Sequence, residues 1–432
     1  MSSPFRLISF AVFSVLIFAQ CQQEPYEINE DSASRILKTL SDDDMRGRQA
    51  GTEDAKKAAG FISSEFEAIG LQPLEGLEGY LQTFSMFGYT VTESSVTVSG
   101  NELSPDNYFG FVYESDLSWE SGDAMSAVIA GGDNFQEKVQ EYSDSDDNLL
   151  VFVDDAHSDI FGRYKGFFER RPSRSMEGEN SPSIVMVLSA PSDDYSVSFT
   201  AEVEETKFSN VTGKIEGKRS DEIVLFSGHY DHIGIRTPVE GDSIANGAND
   251  DASGITAVIE LARHFRSLGT PERTLMFTAF TAEEMGGFGS QYFSKQLNPD
   301  EIVAMFNIEM IGKPAVSGPN TAWITGFDRS SFGELLAKST EGTEYEFYAD
   351  PYPQQNLFYR SDNATLARLG VPAHSISTTP IDVDQDYHQV SDEYETIDIS
   401  HMTNTIKAIA TAAEGIVSGE DTPSRVDVTQ VD

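Results

Sequence analysis

Eleven histidine and acidic residues, of types that hold cations or move protons, sit in five short polar clusters of this 432-residue chain. The clusters are Gly228-His229-Tyr230-Asp231-His232, Asn249-Asp250-Asp251-Ala252-Ser253-Gly254, Thr281-Ala282-Glu283-Glu284, Asn307-Ile308-Glu309-Met310 and Asp384-Gln385-Asp386-Tyr387-His388-Gln389. One carboxylate in a loop carries no information. Five groups of carboxylates and imidazoles facing one crevice raise each other's pKa and destabilise the fold unless cations neutralise them. A mixed imidazole and carboxylate set suits zinc, cobalt or manganese better than calcium, which prefers oxygen alone.

The elements that must bring these clusters together are legible as short apolar runs. Glu222 to Ser227, Thr274 to Ala279, Ile302 to Ile308 and His374 to Thr378 read as buried strands. Helical spacing marks Ile255 to Arg266, Gly287 to Leu297, Phe332 to Ser339 and Ala364 to Leu369 between them. Alternating buried strands and amphipathic helices predict an α/β fold, a three-layer αβα arrangement with a central mixed, mostly parallel sheet. Ligands of such folds bind beyond the carboxyl ends of the strands. His229, Glu283, Glu284 and Glu309 fall directly after three of the predicted strands, and Asp250 lies just ahead of a helix. Upstream, Asp31 to Leu40 and Thr52 to Ile69 read as helices, the second ending at Gly70, followed by strand-like stretches at Tyr80 to Phe87 and Tyr89 to Val98. Between Leu103 and Asn210 the periodicity weakens. Ala127 to Gly131 and Leu149 to Val153 read as strands, and the Ser/Pro/Glu/Arg-rich stretch from Arg170 to Ser183 as a mobile loop.

With these clusters in order along the chain, the sequence resembles the M28 family of zinc aminopeptidases, the co-catalytic two-zinc exopeptidases. The matching segments extend the clusters to Ile233-Gly234, Gly247-Ala248, Phe280 and Ile311-Gly312, and the segment Arg46-Gly47-Arg48-Gln49-Ala50-Gly51-Thr52 resembles the family's lead-in. The similarity covers roughly residues 31 to 87 and 208 to 415. It implies two Zn2+ ions per chain, with Co2+ or Mn2+ as substitutes: His229 and Glu309 complete one site, Glu284 and His388 the other, and Asp250 bridges them. It further implies Glu283 as general base and Asp231 as the residue that fixes the tautomer of His229. The family's usual residue at Glu309 is Asp, so the longer side chain raises the question of unequal occupancy. The implied activity is removal of N-terminal residues from small peptides. Carboxypeptidase or dipeptidase action, with Arg360 as a carboxylate anchor, a single-zinc glutaminyl cyclase, and a noncatalytic binding module stay open as alternatives. Tyr359, Ser361 and Asp362 precede a helix whose start helps form the family's substrate pocket, and Asn363 stands where His is common. His232 reads as a cleft or rim residue, and His157, His264, His374 and His401 as structural or exposed.

Composition narrows the partners. With 29 Lys and Arg against 71 Asp and Glu, the net charge is −42, a surface that repels phosphate backbones and excludes a nucleic-acid partner. The five basic residues between Gly162 and Arg174, interleaved with Tyr164, Phe167 and Phe168, read as local charge balance. Leu7 to Ala19 is an apolar run after Arg6, the length of a signal-peptide core and too short for a membrane span. Phe18-Ala19-Gln20-Cys21 resembles a bacterial lipoprotein processing site, so the only membrane association expected is a lipid anchor at Cys21. Export follows, to the periplasm, the outer membrane or the medium. The lone cysteine forms no intrachain disulfide. The expected organisation is a signal peptide at 1–21, a polar tether at 22–35, a peptidase domain at 36–99 and 205–417, an inserted or flanking, protease-associated-like segment at 100–204, and a flexible acidic tail at 418–432. A monomer is expected, with a dimer left open.

Overall fold

The computed structural model describes residues 25–143, 145–169 and 171–431. The signal-peptide run, Cys21 and Arg170 of the basic stretch lie outside the described residues. The central sheet is built on eight principal strands: β1 (Leu81–Val98), β2 (Tyr195–Ile215), β3 (Arg219–His229), β4 (Arg273–Phe280), β5 (Ile302–Ile308), β6 (Thr321–Ile324), β7 (Glu346–Ala349) and β8 (Ala373–Ser377). Their spatial order is β7-β6-β8-β5-β3-β4-β2-β1. Parallel pairing joins β8, β5, β3 and β4 at the centre and also β6 with β7, whereas β4–β2, β2–β1 and β6–β8 are antiparallel. The sheet is therefore mixed, and its parallel centre is where the clusters of His and carboxylate residues emerge.

The central strands are apolar on both sides because both sides are covered. Val224 and Phe226 of β3 face one core, Ile223 and Leu225 the other. On the first face lie α1 (Glu30–Leu40), α2 (Glu53–Ile69), α3 (Ser253–Ser267), α5 (Phe332–Ser339) and α7 (Ile399–Ser418); on the second lie α4 (Phe288–Lys295) and α6 (Asn363–Ala367). Phe226 is the centre of the first core, with ring centroids 5.4 Å from Phe265, 5.4 Å from Phe277 and 4.9 Å from Phe306. Each such buried ring contributes about 1.5–3 kcal/mol, so this stack fixes the spacing of three strands whose ends carry the polar clusters. Helix α2 starts and stops where its sequence dictates: Thr52 accepts a hydrogen bond from the Ala55 N–H, and Gly70 closes it at φ 80°.

The two strand-like stretches upstream form one strand, β1, which pairs with the 21-residue β2 from Leu81–Val211 to Val98–Tyr195. β2 runs through the expected boundary near 205, whereas β1 ends at the one near 99. Their far ends, with Val96, Val98, Val197 and Phe199, join the core of the flanking unit. That unit carries a four-stranded sheet of Tyr108–Phe111, Met125–Ile129, Leu149–Val153 and Ile184–Leu188 with helices Phe135–Ser143 and Ser158–Phe168. Within the stretch expected to be a mobile loop, Ser173–Met176 is a strand paired with β1; main-chain pairing needs no apolar repeat, so its residue pattern does not mark it. The segment expected to be a tether is partly docked: Tyr26 Oη donates to Glu260 Oε2 at 2.7 Å, and α1 begins at Glu30. The expected acidic tail is likewise held: Arg273 donates to the Asp421 carbonyl at 2.7 Å, Ser424 and Ser331 exchange two hydrogen bonds, and Val426 is buried. Among the described residues no helix is long and apolar enough to cross a membrane.

Candidate metal centre

Each site residue lies where the chain leaves an element. His229 is the last residue of β3, Glu283 and Glu284 follow β4, and Glu309 follows β5. Asp250 lies in the turn ahead of α3, and the Asp250–Asp251 peptide bond is cis. Ala282, Met310 and His388 all have positive φ (57°, 51° and 59°), an uncommon conformation for non-glycine residues that collects here around one cluster. Gly254 lets α3 approach: a Cβ there would stand 2.1 Å from the Ile308 carbonyl oxygen.

All five proposed ligands converge. Asp250 is the hub, with Oδ1 3.2 Å from His229 Nε2 and Oδ2 3.2 Å from His388 Nε2. Glu309 Oε2 lies 3.6 Å from His229 Nε2, and Glu284 Oε2 lies 3.3 Å from His388 Nε2. Glu309 is steadied at its other oxygen by Ser361 Oγ and by Asn307 Nδ2 at 3.3 Å. Glu283 Oε2 stands 3.9 Å from His229 Nε2, close to the cluster. His388 is partly exposed, with Tyr387 stacked on it at 3.9 Å, whereas His229 and Asp250 are buried.

Asp231 meets His229 through its main chain. His229 Nδ1 lies 3.0 Å from the main-chain oxygen of Asp231, while the carboxylate Oδ1 is 3.8 Å away and accepts the Glu283 N–H at 3.1 Å. The turn after β3 brings the carbonyl, not the carboxylate, under the ring. Asp231 thus orients the imidazole by its backbone and the base-bearing turn by its side chain.

Three further residues belong to the centre. His232 is buried, with Nδ1 2.9 Å from Glu284 Oε1 and 3.8 Å from Asp250 Oδ2. Asp251 is buried and accepts three main-chain N–H groups, from His229 (3.2 Å), Gly254 (3.1 Å) and Met310 (3.0 Å), tying β3, α3 and β5 together. Asp392 accepts those of Asn249 and Asp250. The doublet Asp250-Asp251 was visible in the sequence, but nothing there separates a hub from a knot; Asp392 lies outside every motif. The other histidines are structural: His374 is buried between Ser330 Oγ (2.7 Å) and the Thr325 carbonyl (2.8 Å), His264 and His157 meet main-chain oxygens, and His401 is buried on α7.

The cluster fits a cation. Asp250 Oδ2, Glu284 Oε1 and both ring nitrogens of His232 are buried without an aligned hydrogen-bond partner, so the 2.9 Å approach of His232 to Glu284 is a convergence of polar atoms with no hydrogen bond between them. Buried carboxylate oxygens in that state are costly unless a positive charge meets them. Ligand atoms of His232, Asp250 and Glu284 lie within 4.8 Å of one another, as do those of His229, Asp251 and Glu309. Charge distribution says the same. Burial opposes ionisation of Asp250, but the imidazoles of His229, His388 and His232 close to it hold it well below the usual carboxylate range. Burial likewise disfavours charge on His229, yet Glu309 and Glu283 raise it well above an ordinary imidazole. Glu283 is pushed well up by burial and then by Glu309, Asp362 and Glu284, although His229 opposes this.

Beside Glu309 opens a small pocket lined by Met310, Trp323, Leu357, Arg360, Ile381 and Tyr387. Arg360 donates, at 3.4 Å, to Gln355 Oε1 and Tyr387 Oη, and makes no hydrogen bond or ion pair to the cluster. Asn363 is buried behind this pocket, donating to the Phe358 carbonyl at 3.0 Å.

Comparison with known proteins agrees with this geometry. A probable zinc metalloprotease of Pyricularia oryzae is 35% identical over 116 residues, 27% of this chain and 22% of that protein. The aminopeptidase YwaD of Bacillus subtilis is 22% identical over 349 residues, 76% of this chain and 67% of that protein. The chain spans about a fifth of the length of the fungal metalloproteases it matches. In structure it is similar to an aminopeptidase from Aneurinibacillus sp. strain AM-1, with TM-score 0.55 and 18% identity, covering 94% of this chain and 97% of that one. It is also similar to a Bacillus subtilis zinc aminopeptidase, with TM-score 0.54 and 16% identity, covering 93% and 99%. These likenesses establish a shared fold. The profile of peptidase family M28 matches residues 210–413, the stretch that carries all five clusters.

Proposed function

We propose that this protein is a zinc-dependent aminopeptidase that binds two Zn2+ ions and removes residues from the free N-terminus of small peptides. The observation that carries the reading is Asp250, whose two oxygens face two different imidazoles, each with its own glutamate, while Glu283 lies 3.9 Å from His229 Nε2 but in neither trio of converging ligand atoms. Similarity to a probable zinc metalloprotease and to aminopeptidases supports the metal and the reaction. His229 and Glu309 hold one ion, Glu284 and His388 the other, and Asp250 both. His232 and Asp251 back the two halves. Bound zinc supplies Lewis acidity for the scissile carbonyl and lowers the pKa of water.

The protein's own residues do the rest. Glu283 takes a proton from the attacking water and delivers it to the leaving nitrogen as the C–N bond breaks. Asp231 holds the Glu283 main chain so that this carboxylate stays aimed. The pocket beside Glu309 receives the side chain of the residue to be released. The N-terminal apolar run and Cys21 support export, with lipidation at Cys21 as the anchor.

The test is zinc content together with amino-acid release from peptides with free and with acetylated N-termini. Two zinc ions per chain and release only from free amines are expected. Activity on blocked peptides would overturn the aminopeptidase reading, and one ion at saturation would overturn the paired centre.

A further inference from the structure

We infer that Arg48 is a positioning residue of the metal centre, its guanidinium locking the loop of His229 to the loop of Asp250 so that the ligands are set before a cation binds. The inference rests on reading the cluster as a metal centre. Arg48 belongs to the lead-in segment and touches no substrate-facing surface, being fully buried. Its hydrogen bonds go to main-chain oxygens: Nε to Tyr230 at 2.7 Å, Nη1 to Leu40 and Asn246 at 2.6 Å each, and Nη2 to Gly247 at 3.0 Å. Tyr230 lies between His229 and Asp231, and Asn246 and Gly247 lead into Asp250.

The opposite side of the same loop is held by an anion. Asp392 accepts the Asn249 N–H at 2.9 and 3.1 Å and the Asp250 N–H at 3.0 Å, and its main-chain oxygen accepts that of Ala248 at 3.1 Å. Residues 246–250 are therefore held from one side by a buried cation and from the other by a buried carboxylate. The lead-in threads between the two ligand loops with no spare room. Gly47 has φ +70°, and a Cβ there would stand 2.4 Å from the Ala245 oxygen and 2.7 Å from Gly234 Cα. A planar fork with five donors can serve four carbonyls in fixed directions, whereas an ammonium at the end of a flexible stem cannot. Arg48 forms no ion pair with a carboxylate among the described residues, so its charge acts across the cluster of Asp392, Asp231, Asp250 and Asp251.

The experiment compares zinc affinity, by competition with a chelating dye, in wild type, Arg48→Lys and Arg273→Lys. Arg273 is also buried and donates to main-chain oxygens, but at the far end of the sheet. Outer partners of metal ligands are worth about 10–100-fold in affinity, so R48K should lose that factor while regaining kcat at saturating zinc. R273K should keep wild-type zinc affinity. If wild type binds no zinc, the metal reading itself fails; if it binds zinc and R48K binds equally well, the assignment of Arg48 fails. Should R48K not fold, amide exchange on zinc-free wild type decides. Ala248, Asn249 and Asp250 should remain protected to within about tenfold of the zinc-loaded protein. Exchange at the rate of an open loop once zinc is removed would overturn the inference.

Discussion

Replacing Glu283 by Gln removes the proposed base and almost nothing else. The side chain keeps its length, and the main-chain bonds of this turn, from the Glu283 N–H to Asp231 Oδ1 at 3.1 Å and from the Gly286 N–H to the Glu283 oxygen at 2.8 Å, do not involve the changed atom. Glu283 belongs to neither convergent trio of ligand atoms, so zinc content should stay at the wild-type value. The lost proton transfer is worth about 10²–10⁴-fold in rate, which at 1.36 kcal/mol per decade is about 3–5 kcal/mol of barrier. Burial and the facing carboxylates Glu309, Asp362 and Glu284 raise the affinity of Glu283 for a proton, which favours the upper half of that range. The expected result is a kcat lowered about 10³-fold on leucine p-nitroanilide, with metal measured on the same sample by plasma mass spectrometry. A kcat within tenfold of wild type, at full zinc content, would refute the assignment of Glu283. A variant that loses zinc would show that Glu283 is a ligand and not the base.

Three other outcomes follow from the same coordinates. Glu309→Gln keeps the shape that meets Ser361 and Asn307 but removes a ligand charge, so zinc should fall from two ions toward one per chain with Glu284 and His388 still occupied; unchanged stoichiometry in dialysed protein would contradict it. Arg273→Met removes the 2.6 Å donor to Glu222 and leaves the Asp421 carbonyl without its donor, and should cost about 1–3 kcal/mol in urea unfolding and expose the C-terminal segment to proteolysis. His374, buried and neutral, has its pKa lowered to about 4 by burial, against about 6.5 when unfolded. Its contribution is complete above pH 6.5 and is lost as pH falls toward 4, because the unfolded imidazole takes up the proton first; the loss approaches about 3 kcal/mol. The unfolding midpoint of His374→Asn should therefore fall less than that of wild type between pH 7 and pH 4, and parallel pH profiles would refute this.

Much of this protein is legible in its residues because the signals are local. A strand buried on both faces must be apolar throughout, so β3, β4 and β5 appear as unbroken runs, and the polar residues that end them mark the rim of the sheet. Caps behave likewise, as Thr52 and Gly70 show for α2. The five expected ligands and Glu283 could be named because the clusters that carry them resemble the M28 motifs in order and type.

What only the tertiary structure decided concerns groups whose partners are distant along the chain. Arg48 meets carbonyl oxygens 182 to 199 residues away, and carbonyls leave no mark on a sequence. Asp392 reaches back 143 residues to main-chain N–H groups for the same reason. Asp231 was recognisable as a site residue, but whether its carbonyl or its carboxylate lies under His229 depends on the turn after β3. The strand Ser173–Met176 and the full length of β1 and β2 exist through main-chain pairing between residues 84 to 130 positions apart. Side-chain chemistry and period are written locally, whereas the backbone hydrogen bonds that aim the side chains are fixed only when the chain closes on itself.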